Sequence, residues 1–136
     1  MEKDTLTYAV IGCAMKVHNT LGNGFQEKIY QRCMAVELER AELKFAMEVE
    51  KKIFYQGIFV GKRRADFIIE DIIVLELKAV INLEDAHLAQ AKNYVTAYDF
   101  EKGLLINFGG TSLQYKLIFN SNSTYIKNLI TPNISS

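Results

Sequence analysis

The sequence predicts a mixed α/β (α+β) domain in which helices pack on a central β-sheet. Three observations predict it. Apolar residues recur at helical spacing from Leu6 to Leu21, the texture turns to strands between Val49 and Val80, and a second helical pattern from Glu84 separates these from two more apolar strands. A chain of 136 residues suits a single domain, here read as 1–136 with a polar tail over 121–136.

Leu6, Val10, Cys13, Ala14, Val17 and Leu21 form one stripe of the first helix, and Gly22-Asn23-Gly24 ends it with residues that tolerate left-handed backbone. A second helix runs from about Gln26 to Glu42, carrying Ile29, Cys33, Met34 and Leu38 inward. Val49 to Tyr55 reads as a strand, Gln56-Gly57 as a hairpin turn, and Ile58 begins a return strand that continues past Gly61 and three basic residues into Ala65 to Ile69. Glu70-Asp71 offers the next turn. Ile72 to Val80 is then almost wholly apolar, as in a central strand covered on both faces. Glu84 to about Tyr98 is helical, with Leu88, Ala91, Val95 and Tyr98 on one stripe. Gly103 to Phe108 and Leu113 to Phe119 are the last strands, and a short helix around Tyr125 to Ile130 is expected in the tail.

Composition narrows the function. Lys+Arg and Asp+Glu each total 16, so the net charge is zero, which excludes a protein that binds nucleic acid mainly through its global field. Phosphates must be met by a local site or through a partner. Cys13 and Cys33 have no metal-type spacing with each other or with His18 and His87, and read as buried thiols in a reducing, cytoplasmic setting. The start lacks an apolar run and no segment is long enough to span a membrane, so no membrane role is expected.

The central strand carries the anomaly. Glu76 and Lys78 lie inside Val74-Leu75-Glu76-Leu77-Lys78-Ala79-Val80 and, at i and i+2, share one face. Taken alone, they read as a surface ion pair on a one-sided sheet. Asp66 changes that. A three-residue loop over 70–72 places it opposite Glu76, and a two-residue loop makes the two diagonal neighbours. Two carboxylates so close repel unless a cation lies between them, and oxygen ligands favour Mg²⁺ or Mn²⁺. Glu27 falls in the first turn of the second helix, where the helix dipole alone would favour it, with Tyr30 one turn on. His87, Gln90 and Tyr94 make a polar stripe on the third helix, where Gln90 can donate to a phosphate and Tyr94 can stack on a nucleotide. His18 reads as a hydrogen-bonded packing residue. Arg63 and Arg64 read either as phosphate contacts or as solvated residues of an exposed strand end.

The order Glu27, Asp66, Glu76-x-Lys78, Gln90-x-x-x-Tyr94 resembles the PD-(D/E)XK nuclease superfamily, and the trailing Q-x-x-x-Y resembles its RecB-like and lambda-exonuclease-like branches. Gly24-x-x-Glu27-x-x-Tyr30, with Val17-His18 and Leu21-Gly22 before it and Leu105-Ile106-Asn107-Phe108-Gly109 later, is similar to the GxxExxY protein family. The resemblance covers roughly residues 5 to 120. Ala65-Asp66 stands where the superfamily name has Pro-Asp.

The resemblance implies a restriction-endonuclease-like core with a central mixed sheet and a Mg²⁺-dependent nuclease acting on DNA, RNA remaining open. It implies metal ligation by Asp66, Glu76 and the Leu77 carbonyl, with Glu27 binding through water or orienting the attacking water. Lys78 would stabilise the phosphate or help deprotonate the nucleophile, and Gln90, Tyr94 and Tyr30 would contact substrate. The alternative is a nucleic-acid-binding or protein-interaction module that keeps the fold with little or no turnover. A homo-oligomer or protein partner stays open. A purely structural domain leaves the charges in the central strand unexplained.

Overall fold

In a computed structural model that describes residues 3–120, the chain forms α1 (Lys3–Leu21), α2 (Glu27–Arg40), β1 (Phe45–Tyr55), β2 (Ile58–Ile69), β3 (Ile73–Lys78), α3 (Asp85–Ala97), β4 (Lys102–Asn107) and β5 (Gln114–Phe119). The expected helix in the tail lies outside the described residues. The sheet order β1-β2-β3-β4-β5 follows the chain. Neighbours are antiparallel except β3 and β4, which run parallel because α3 carries the chain back between them. This is the mixed, helix-flanked core expected. No helix among the described residues is long and apolar enough to cross a membrane.

Helices cover both faces of the sheet. Leu6, Val10, Ala14 and Val17 of α1, with Met34 and Leu38 of α2, pack on Phe67, Ile69, Ile73, Leu75 and Leu77. On the other face Ala91 and Val95 of α3 meet Ile68, Val74, Leu105 and Ile118. β3 is therefore enclosed on both sides, which accounts for its unbroken apolar run. Cys13 is buried and its thiol is pushed up by burial, whereas Cys33 is only half-buried; neither forms a disulfide.

Turn chemistry sets the register. Gln56 and Gly57 both take positive φ, 48° and 81°, the pair of angles a tight hairpin requires. Glu70 and Asp71 also take positive φ, and the Ile72 amide donates to Ile69 O at 2.9 Å. The β2–β3 loop has three residues, so Ile69 pairs with Ile73, Ile68 with Val74 and Phe67 with Leu75. The strand expected from Val49 starts earlier, at Phe45, because Phe45–Met47 pair with Phe67–Ile69.

The chain leaving β3 is pinned from β4. Asn107, fully buried, accepts from Val80 N at 2.9 Å and donates to Val80 O at 2.8 Å, while Phe108 N donates to Lys78 O at 2.8 Å. Gly109 fits beneath the same turn, where a Cβ would overlap the backbone of Ala79 and Val80. Gly109→Ala is therefore expected to lower stability by about 2–3 kcal/mol in urea unfolding. Gly61→Ala, whose Cβ meets nothing within 4 Å, should stay within about 0.5 kcal/mol.

Candidate active site

Continuing the β2–β3 register by one step places Asp66 opposite Glu76, but the paired residues stop at Phe67 and Leu75. The β1–β2 pairing also skips this level, passing from Met47↔Phe67 to Val49↔Ala65, with Glu48 at φ 53°. The two carboxylates bond where the ladder ends. Leu77 N donates to Asp66 Oδ2 at 2.8 Å, and Asp66 N donates to Glu76 Oε1 at 3.2 Å. Each acid thus satisfies a backbone N–H of the opposite strand, and the two strands open into a fork at the charged pair.

The electrostatics follow from burial. Glu76 is 7% exposed and its carboxyl is pushed up to about 9, first by loss of solvent, then by Asp66. Asp66 is also raised, chiefly by burial; the Leu77 amide, Lys78 and a hydrogen bond with Glu76 act the other way. Glu27, at the start of α2, is raised by partial desolvation and by Asp66 and lowered by Lys78. Its residue surface is exposed, so its shift counts for less than those of half-buried Asp66 and buried Glu76. Lys78 therefore acts on all three acids.

α3 supplies the facing wall. Glu76, Lys78, His87, Gln90, Ala91, Tyr94 and Leu105 line a narrow cleft between β3, β4 and α3. His87 Nδ1 accepts from Glu84 N at 2.9 Å and completes the α3 N-cap, so one of its nitrogens is structurally committed. The Tyr94 phenol is held above its ordinary value by burial, then by Glu76, and remains a hydrogen-bond donor. The Arg63 guanidinium lies 5.5 Å from the Tyr94 ring centre. A larger cavity lies elsewhere, against Lys44, Phe45, Ala46, Ile68, Glu70 and Asp71, but it lacks the opposed carboxylates. Chemistry, not volume, selects the cleft.

One expectation needs correction. Tyr30 was expected at the substrate, yet it is fully buried and stacked on Phe108 with ring centres 4.6 Å apart. Its hydroxyl donates to Gly22 O at 2.6 Å and accepts from Phe25 N at 3.3 Å, so Tyr30 fixes the turn that precedes Glu27. Among the described residues no three His, Cys, Asp or Glu side chains form a metal-holding group. His18 packs as expected, with Nε2 3.0 Å from Gly110 O. The Leu77 side chain points into the core opposite α3, which leaves only its backbone for the site.

The sequence reading did not single out Asn107 or Tyr98 as supports. The Tyr98 hydroxyl accepts from Ala65 N at 3.1 Å and donates to Val49 O, holding β1 and β2 together one step from Asp66. Both residues sit at element ends and bond backbone, so their signal was only a polar group at the edge of an apolar run.

The profile of the PD-(D/E)XK nuclease superfamily matches residues 4–118. The chain belongs to that superfamily. Its members are typically nucleases, which supports a hydrolase reading and a nucleic-acid substrate. Among solved structures the fold is similar to the crystal structure of SSO0001, with a TM-score of 0.56 and 22% identity. The match covers 78% of this chain and 58% of that one, so it speaks to the fold alone. No curated protein matches the sequence.

The donor set fits a divalent cation. Hard carboxylate oxygens meet at the fork, and burial with mutual repulsion raises the proton affinity of both, a cost that a cation would relieve. One measurement follows. Between pH 4.5 and about 9 the folded protein keeps a proton on Glu76 that the unfolded chain has released. Stability in EDTA should therefore fall as pH rises through that window. Thermal melts should show the fall, Glu76→Gln should flatten it, and Mg²⁺ should restore stability at the alkaline end. An unchanged slope in Glu76→Gln would refute the assignment.

Proposed function

We propose that this chain is a Mg²⁺- or Mn²⁺-dependent nuclease that hydrolyses phosphodiester bonds of DNA, with RNA as the second substrate to test. The observation that carries the reading is the opposed pair of half-buried Asp66 and buried Glu76, with Lys78 on the same strand as Glu76. Asp66 and Glu76 would hold the cation directly, the Leu77 carbonyl would be a third ligand, and Glu27 would act at one remove through water. A bound cation would supply Lewis-acid polarisation of the phosphoryl group.

The chain's own groups account for the rest. The Lys78 ammonium offsets charge that develops on the phosphate. Glu27 orients the attacking water from the N-terminus of α2. Gln90 donates to a phosphate oxygen, and the protonated Tyr94 phenol donates to or stacks on the nucleotide beside it. We assign Tyr30 the positioning of Glu27. The G-x-x-E-x-x-Y and Q-x-x-x-Y patterns favour placement with the GxxExxY family and the RecB-like branch, as one cytoplasmic domain over 1–136.

Labelled single- and double-stranded DNA and RNA, incubated with Mg²⁺, Mn²⁺ or EDTA, test this reading. Cleavage should need metal and fall about 10²–10³-fold in Lys78→Ala. Equal inactivity of wild type and variant on every substrate would sink it, and a non-catalytic binding module would take its place.

A further inference from the structure

β2 is four times as long as its pairing with β3, which spans only Phe67–Ile69. Beyond the Tyr98 clasp at Val49 and Ala65, residues 50–64 form a two-stranded ribbon that extends past the three-layered body. Such a ribbon has little internal packing to justify it. Its tip shows apolar side chains to solvent: Phe54 is 58%, Tyr55 63%, Ile58 66% and Phe59 51% exposed.

The flanks of the ribbon are basic. Lys51, Lys52, Lys62, Arg63 and Arg64 stand against one carboxylate, Glu50, a local charge of +4 in a chain whose net charge is zero. Lys51 pairs across the strands with Arg63, and Lys52 with Lys62. Like charges directly opposed destabilise a ladder. The Lys62–Glu50 ion pair at 2.7 Å offsets part of this on one face only. Arg63 lies over Tyr94, so the basic flank continues into the cleft that holds Glu76 and Lys78.

We propose that the β1–β2 ribbon is an arm that binds single-stranded nucleic acid, its cations on the phosphates and its tip aromatics stacked on unpaired bases. Charge complementarity and continuity with the cleft favour this occupant over a second copy of the chain. Exposed rings offer π faces that only unstacked bases can use. From Arg63 to Phe59 the ribbon spans roughly 13 Å at strand rise, so a strand leaving the cleft passes along it to the tip. The inference takes its placement from the nuclease reading, but its test does not require cleavage.

Anisotropy of a labelled single-stranded oligonucleotide, titrated with the full chain in EDTA over a salt series, reads binding alone. The double variant Phe54→Ser/Phe59→Ser should weaken binding about tenfold or more. The triple variant Lys51→Gln/Lys52→Gln/Lys62→Gln should reduce the slope of log affinity against log salt by about 2. If both folded variants bind like wild type, the arm is overturned. It is also overturned if a duplex binds more tightly through the same residues, or if the tip variant only converts a dimer to a monomer in sedimentation. Should the tip variant fail to fold by circular dichroism, the charge variant alone decides. Ribbon-dependent binding without cleavage on any substrate would keep the arm and sink the nuclease; cleavage and binding indifferent to the ribbon would do the reverse.

Discussion

The constraint on which this structure turns is the confinement of half-buried Asp66 and buried Glu76 opposite each other at the fork between β2 and β3. A sheet interior tolerates ionised groups only when they are paired, bonded or joined by a cation. Here each carboxylate takes a backbone amide that the sheet ladder gives up, so ending the ladder and placing the acids are one event. The surrounding elements serve that fork. Asn107 and Phe108 hold the exit of β3, Tyr98 holds β1 against β2, and Tyr30 holds the turn before Glu27.

The layers divide the labour. α1 and α2 supply most of the apolar packing behind β3, while α3 brings Gln90 and Tyr94 to the side where Glu76 and Lys78 emerge. In the proposed function the chemistry would sit on a central strand, with recognition on a helix and a ribbon beside it. Zero net charge is compatible with a phosphate ligand because the ribbon, with five cations against one carboxylate, is locally basic.

Much of this was legible because the informative contacts are local. Element order followed from periodicity and turn residues, and the Glu70–Asp71 turn narrowed Asp66 and Glu76 to two registers, of which the three-residue loop is the one found. Other features depend on distant partners. The burial of Tyr30 is decided by Phe108, which the chain supplies only after α3. The projection of the ribbon depends on β3 being half the length of β2, and a strand's extent in sequence does not reveal how far its neighbour accompanies it. The standoff of Glu27 reflects how α2 sits on the sheet, which helical periodicity does not encode.

A sheet whose strand order follows the chain also bears on how the protein comes into being. The loop that brings Asp66 to Glu76 is a short closure between adjacent strands, with little entropy to overcome. Such contacts form early relative to the parallel β3–β4 pairing, which must await α3. Contact order alone would thus let the two acids meet on the hairpin while both are still hydrated, so that neither has to be dehydrated before it has found the other.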